Sequence, residues 1–402
     1  MLELEDALAH ILATIPSPTS ESILLRDAAR RVQAERIESP IDLPLFDNSA
    51  MDGYGVRSRD VASAAPESPT RLRLVGRAAA GETFAGELAA GTCVRLFTGS
   101  PLPPGADAVV MQEDTRVEPN AGDQVLFLEP TRTGDNVRWR GEDVKRGATL
   151  AAPGEVLSAG RLSLLAAAGL VRVRVGRRPV VGLLATGSEL KEPGEPLVPG
   201  QIYESNRIAL AALVCRAGAI PEVFPLVADA LAATRSALTE AFRQCDAVIT
   251  SGGVSVGELD FIRPAFEETG GALQFWKVAI RPGRPFVFGR YGEKVFFGLP
   301  GNPVSALVTF LLLVHPALLR WQGAADISLP SRAGVLAESL ANPEGRRHFM
   351  RVKLDASGAV RSAGVQASHI LSSMAAADGL LDLPPRTTLA AGTAVQVISC
   401  QG

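Results

Sequence analysis

Apolar positions change their spacing several times along the chain, and each change marks a change of expected structure. Leu2, Leu4, Ala7, Leu8, Ile11 and Leu12 recur at helical intervals, and Ile23, Leu24 and Leu25 continue that reading beyond the turn at Pro16-Ser17-Pro18. From residue 41 to 140 the pattern shortens. Leu72–Val75, Val94–Phe97, Ala108–Met111 and Val125–Leu128 read as short strands between Pro- and Gly-rich turns, which predicts a compact β-rich insertion. Between Gly141 and Gly176 the pattern is mixed, with a helix over Leu162–Ala168 and an alternating strand over Val171–Val175.

Residues 179–326 read differently. Pro179–Ala185 is a continuous apolar strand, followed by a helix at Arg207–Ala217, a strand at Val223–Leu226 and a helix around Leu231–Phe242. Then come strand Ala247–Thr250, helix Phe261–Glu268, strand Val295–Gly298 and helix Val304–Leu319. Strands alternating with helices predict a parallel, doubly wound α/β sheet. Residues 331–402 return to short strands at Gly334–Leu336, Arg351–Leu354 and Ala394–Ile398, the pattern of a small β-barrel or sandwich. The expected division is 1–40 with 141–176 as a mixed α/β linker domain, 41–140 as the β-rich insert, 177–327 as the α/β domain, and 328–402 as the last domain. No short-period repeat is visible.

Composition narrows the function classes. With 47% hydrophobic and 21% charged residues among 402, the chain is a globular protein with a substantial core. A net charge of −3 gives no global field for nucleic acid or an acidic membrane, so any anionic ligand must be held by local groups. Cys93, Cys215, Cys245 and Cys400 lie far apart, which argues against a zinc site and a disulfide scaffold. Val304–Leu319 is interrupted by Ser305, Thr309, His315 and Pro316 and reads as a buried helix. The acidic start, Met1–Ala9, has no secretory layout, so the expected home is a reducing cytoplasm.

Three strand ends are polar and glycine-rich: Thr186-Gly187-Ser188-Glu189-Leu190, the run from Thr250 to Asp260 with Ser251, Gly252, Gly253, Ser255 and Gly257, and Leu299-Pro300-Gly301-Asn302-Pro303. In open parallel sheets ligands bind beyond the C-terminal ends of strands, where the chain order reverses. Glycines there let backbone N–H groups approach an anion, and the following helix adds a favourable dipole. One such loop is ordinary turn chemistry; three on one edge point to an anion site. A basic elbow, Lys277 through Arg281-Pro282-Gly283-Arg284-Pro285, has its path fixed by proline and glycine, and arginine forks suit oxyanions. A solvated surface turn is the other reading of the elbow. Glu189, Asp229 and Asp260 sit on α/β loops, where helix capping and Mg²⁺ ligation both account for an acid, and periodicity does not decide between them. Asp47–Tyr54 and Gly141-Glu142-Asp143 are polar segments that ordinary turns also explain. His10, His315, His348 and His369 occupy unrelated contexts, and there is no Ser/His/Asp hydrolase signal or nucleotide P-loop.

Taken together and in order, Phe46–Tyr54, Ala80-Gly81-Glu82, Thr98-Gly99, Pro104–Val110, Arg140–Asp143, Thr186-Gly187 with Glu189-Leu190, Gln201–Asn206, Ser251–Gly257 with Asp260, and Leu299–Pro303 resemble the MoeA family of molybdopterin molybdenumtransferases, related to the E domain of gephyrin. The resemblance spans nearly the whole chain and is weakest over the last domain. It implies a four-part, elongated homodimer whose third part is a doubly wound α/β domain similar to MogA adenylyltransferases and whose last part is a small β-barrel. It implies an enzyme that inserts molybdenum from molybdate into adenylylated molybdopterin and releases AMP with the help of Mg²⁺. Carried over residue by residue, the implied catalytic positions are Asp52, Asp143, Glu189, Asp229, Asp260 and Lys277, with Glu189, Asp229 and Asp260 at the metal. Substrate-binding positions are Ser49, Arg138, Thr186, Gly187, Ser251, Gly252, Gly253, Ser255, Gly257, Arg281, Arg284, Pro300, Gly301, Asn302 and Pro303. A MogA-type adenylyltransferase is implied as the upstream partner, and no nucleic acid or membrane is expected. Ser188 stands where the family usually has Asp, Glu204 where it usually has Asp, and Arg281 and Arg284 where lysines are more common. The alternatives are a MogA-like adenylyltransferase, normally a much shorter chain, and a gephyrin-like scaffold without catalysis.

Overall fold

The structure, a computed structural model, describes residues 1–117, 122–253 and 261–400. The chain folds into two compact units, one made of Met1–Glu35, Pro153–Ser158 and Arg172–Gly402, the other of Arg36–Ala152 and Ala159–Val171.

At the centre of the first unit is a six-stranded sheet of β1 (Val180–Ala185), β2 (Ile220–Val223), β3 (Ala247–Ser251), β4 (Ala272–Trp276), β5 (Val287–Tyr291) and β6 (Lys294–Leu299), in the order β2-β1-β3-β6-β5-β4. Its central strands are apolar along their whole length because helices cover both faces. Val181, Leu183, Ile249, Val295 and Phe297 face one layer, which holds α1 (Asn206–Arg216) and α4 (Pro303–Trp321). Leu184, Val248 and Phe296 face the other, which holds α2 (Leu231–Gln244) and α3 (Ile262–Glu268). The period of two along each strand thus feeds two separate cores.

The sheet is not wholly parallel as the strand–helix alternation predicts. β2, β1, β3 and β6 run parallel, but β5 pairs antiparallel with both β6 and β4. Gly292, at φ 58°, turns the chain back between the paired residues Tyr291 and Lys294, so this strand returns by a hairpin without a crossover helix.

The apolar run 304–319 is a core helix. α4 is long and apolar enough to cross a bilayer, yet 78% of its apolar window is buried within the molecule. Pro316 cannot donate to Leu312, and the helix widens into a π-helical stretch over Phe310–Val314 just before it.

Beyond α4 a five-stranded barrel closes on itself. Arg347–Leu354 pairs with both Ala359–Ser362 and Gly379–Leu383, and Ser331–Leu336 and Ala394–Ser399 complete the ring around Val352, Val360, Leu381 and Val397. Ile280-Arg281 adds alongside Arg347-His348, which ties the basic elbow to the barrel. At the N-terminus, helix Leu4–Thr14 buries Leu4, Ala7 and Ile11 in the same core as α1 and α4. The helical reading of Ile23–Leu25 is corrected: Ser20–Leu24 is a strand, antiparallel to Arg172–Gly176, followed by a short 3₁₀ turn. Its partner lies some 150 residues away, and that pairing overrides the local apolar spacing.

The second unit is built on a six-stranded sheet in the order Ala108–Met111, Gly53–Val56, Thr92–Leu96, Thr70–Ala78, Gln124–Phe127, Thr115–Val117. Tyr54, Val56, Cys93, Val110 and Phe127 pack its core. Short strand pairs, Asn48-Ser49 with Val137-Arg138 and Ile37-Glu38 with Thr149–Ala151, and the helix Ala159–Ala167 complete it.

Candidate active site

From β1 the chain crosses to β2 on one side, and β3 then lies on the other side of β1. The order reverses between β1 and β3, and at their C-terminal ends such a reversal opens a crevice. A cavity of about 730 Å³ lies there, lined by Thr186, Gly187, Glu189, Asp229, Ser251, Gly252 and Gly253, together with Pro300, Gly301, Asn302 and Pro303. The three glycine-rich strand ends therefore converge, as the sequence predicts.

Their approach is close enough to require glycine. Gly252 has φ 92°, and a Cβ there would stand 2.9 Å from the carbonyl oxygen of Thr186. At Gly187 a Cβ would meet Glu189 Oε2 at 2.8 Å, because the glutamate folds back over its own loop. Asn206, at the start of α1, stitches the other two loops: its Nδ2 donates to Ser251 Oγ (2.6 Å) and to the carbonyl of Gly301 (2.8 Å). Glu204 holds Asn206 in turn. Only 3% exposed, its carboxylate accepts from the Asn206 and Arg207 backbone N–H groups and from Arg207 Nε. A buried charge is tolerated because it is paired this fully.

Glu189 and Asp229 enter the cavity from neighbouring loops. The Ser188 N–H donates to Asp229 Oδ2 (2.8 Å), and the Asp229 N–H donates to Ser188 Oγ (3.3 Å). Serine at 188 therefore supplies no second acid but orients the one at 229. Ser255, Gly257 and Asp260 lie outside the described residues. Among the described residues no group of three or more His, Cys, Asp and Glu side chains could hold a metal ion.

A second cavity of about 400 Å³ adjoins the first and shares Pro285, Pro300, Asn302 and His369 with it. Arg281, Arg284 and Arg346 line it with Ser305, Gln366 and Ser368. The elbow is fixed. Arg281-Pro282 is a cis peptide, and Gly283, at φ 108°, packs so closely that a Cβ would lie 2.4 Å from Thr309 Cγ2. Arg281 pairs with Glu344 at 3.2 Å, whereas the exposed Arg284 guanidinium has no protein partner among the described residues. Behind this wall, His348 is 3% exposed, and burial, with Arg281 and Arg351 nearby, pushes its pKa down to about 4. Lys277 lines neither cavity; it has φ 77° and its Nζ lies 5.3 Å from the Trp276 ring centre.

The chain matches the family description "MoeA N-terminal region (domain I and II)" over residues 2–169, "Probable molybdopterin binding domain" over 182–320 and "MoeA C-terminal region (domain IV)" over 333–400. It is 40% identical to a Haemophilus influenzae protein named molybdopterin molybdenumtransferase, covering 99% of this chain and 98% of that one. It is 41% identical to molybdopterin molybdenumtransferase 2 of Mycobacterium tuberculosis, over 94% of each chain. The chain belongs to the MoeA family. A crystal structure of the molybdopterin biosynthesis moeA protein of Pyrococcus horikoshii superposes with a TM-score of 0.84 at 32% identity, over 99% of this chain and 100% of that one. The α/β domain, the β-rich insertion and the closed barrel are thus MoeA architecture.

The remaining positions that the MoeA resemblance singles out lie in the second unit. Asp52 is exposed, and Thr98 donates to it through its N–H and its hydroxyl (2.8 Å each), which holds the carboxyl below the usual range. Arg138 and Asp143 are exposed, and Arg138 sits opposite Asn48 in a short strand pair. Ser49 is fully buried, and its hydroxyl closes a turn by donating to the Met51 carbonyl. Among MoeA motif residues, sequence reasoning gave no role to Glu204 and Asn206, although both stand in the Gln201–Asn206 run. Polar side chains at the start of a helix were the available signal. Arg346, Glu344 and His369 carried none, because only the tertiary fold brings the barrel to the elbow.

Proposed function

We infer that this chain is a molybdopterin molybdenumtransferase, which takes adenylylated molybdopterin and molybdate, joins molybdenum to the dithiolene sulfurs and releases AMP. The observation that carries the reading is a cavity lined by three glycine-rich loops at the sheet's switch point, adjoining a second one walled by arginines. Pterin phosphate, AMP and molybdate are all oxyanions, and the two cavities offer backbone amides and guanidinium forks to match.

The chain's residues bind and orient. Thr186-Gly187, Ser251–Gly253 and Pro300–Pro303 cradle phosphate with backbone groups that glycine leaves accessible. Arg281 and Arg284 hold molybdate or the pterin phosphate, and juxtaposition of the two substrates supplies much of the rate. Asp52, Asp143, Arg138 and Lys277 are assigned to the same reaction through the family motif. Breaking the link to AMP needs charge stabilisation more than a nucleophile, so no cysteine or histidine is required.

Magnesium fits the donor set. Glu189 and Asp229 offer hard carboxylate oxygens in one cavity, and Mg²⁺ takes few protein ligands when phosphate and water complete its shell. When bound, it would neutralise charge on the phosphates. Asp260 is proposed as a further ligand. A MogA-type adenylyltransferase would supply the substrate, and a cytoplasmic homodimer is the proposed state. Large exposed apolar side chains, Ile202 at 55% in the cavity wall and Ile208 at 64% on α1, support self-association. The test is to supply adenylylated molybdopterin, Mg²⁺ and molybdate and to follow AMP. Release that does not depend on molybdate, or no release, refutes the reading.

A further inference from the structure

Glu344 bridges two arginines of the second cavity. Its Oε1 accepts from Arg281 Nη1 at 3.2 Å and its Oε2 accepts from Arg346 Nη2 at 3.3 Å. Both arginines line the cavity, with Arg284 beside them, its guanidinium without a protein partner among the described residues. Arg351, 0% exposed with its Nη1 unpaired among the described residues, and the buried His348 lie behind. The carboxylate therefore holds two of the cationic groups that line the cavity.

We propose that Glu344 is a built-in placeholder for the oxyanion, displaced when the anion binds, and that it sets how strongly the cavity binds. The inference rests on the reading of this cavity as an oxyanion site. A carboxylate spanning two guanidinium groups uses the same donors that would hold two oxygens of a tetrahedral anion. It uses them loosely: both contacts are longer than the roughly 2.7–2.9 Å of strong charge-assisted bonds. The side chain is also 42% exposed, so solvent already shares it. Displacement is cheap for that reason.

The backbone beneath Glu344 is anchored, since its N–H donates to Asn342 Oδ1 (3.3 Å) and its carbonyl accepts from the Arg386 N–H (3.0 Å). The side chain can swing out while the loop stays. A dianion such as molybdate brings one more charge to the arginine cluster than the carboxylate it replaces, so exchange is favourable. The cost of displacing Glu344 is common to every anion, so the residue sets the affinity threshold of the cavity.

The experiment is a calorimetric titration of the full chain with sodium molybdate and, separately, with sodium perchlorate, at fixed pH and ionic strength. The chains compared are wild type, Glu344→Gln, Glu344→Asp and Arg284→Ala. Glu344→Gln should bind molybdate roughly three- to tenfold more tightly, the equivalent of about 0.7–1.4 kcal/mol. Perchlorate should gain by a similar factor, because the cost of displacing Glu344 is common to both anions. Glu344→Asp, too short to span both arginines, should lie between, and it decides the matter if the Gln variant does not fold. If wild type and Glu344→Gln bind molybdate alike, or the variant binds more weakly, the placeholder role is wrong while the oxyanion cavity stands. If no chain binds molybdate, the cavity reading and the placeholder fall together.

Discussion

Asn206 donates its side-chain amide to the hydroxyl of Ser251 across 2.6 Å, joining the first residue of α1 to the last residue of β3, 45 positions away. The same amide reaches the Gly301 carbonyl, so one side chain fixes the spacing of two loops that line the cavity. Asn206→Ala removes both bonds and leaves partly buried acceptors unpaired. The expected cost is about 1–3 kcal/mol of stability. Activity should fall much further, about a hundredfold in kcat/KM, because misplacement of about 1 Å is enough for such a loss. Thermal unfolding and molybdate-dependent AMP release measure the two effects. An equal, small loss in both would show that the bridge serves only the fold.

Glu189 and Asp229 allow a sharper test of the metal. Glu189→Gln and Asp229→Asn keep shape and, at Asp229, an oxygen that can still accept from Ser188. Stability should move by about half a kcal/mol or less. The Mg²⁺ concentration for half-maximal AMP release should rise at least tenfold in each variant. An unchanged magnesium dependence in both would remove these acids from the metal.

The elbow separates charge from geometry. The Arg284 guanidinium has no protein partner among the described residues, so Arg284→Ala should leave thermal stability nearly unchanged while weakening oxyanion dependence about ten- to hundredfold. Gly283→Ala should do the reverse. Its φ of 108° and the 2.4 Å approach to Thr309 make any side chain strained, at an expected cost of about 2–4 kcal/mol. Thermal melts with molybdate titrations of both variants check this. A destabilised Arg284→Ala would mean that its guanidinium holds the fold.

How much of this was legible beforehand depended on range. The strands Val180–Ala185, Ala247–Ser251 and Lys294–Leu299 announce themselves because burial on both faces demands unbroken apolar runs. The loops after them stood out for the same reason: polar and glycine residues directly follow a core strand. The segment Val287–Leu299 hid its hairpin because apolar residues flank a bare Gly-Glu turn, and an α/β rhythm was already expected there. Ile23–Leu25 reads as helix because the strand that pairs with Ser20–Leu24 comes from residues 172–176, far off in sequence. The site shows the same division. Thr186, Gly252 and Pro300 belong to local motifs, but Glu344 reaches Arg281 only through a barrel strand added beside the elbow.

Acid should weaken the fold through two buried histidines. His348 and His315, 3% and 6% exposed, both have their pKa pushed down from 6.5 to about 4, chiefly by burial. Arg281 and Arg351 add to the effect at His348, against a smaller opposing effect of Glu344, and Arg216 adds to it at His315. In the unfolded chain each binds a proton near pH 6.5; in the fold it resists until about pH 4. Between these values the unfolded state holds more protons, so stability rises with pH and is lost as pH falls through the window. Each group accounts for about 2–4 kcal/mol when the window is fully crossed. Urea midpoints measured from pH 7 to 4.5 should therefore decline before most carboxylates titrate, and His315→Gln or His348→Gln should flatten the decline. A wild-type midpoint that is level from pH 6.5 to 4.5 would mean that these imidazoles are not held neutral in the fold.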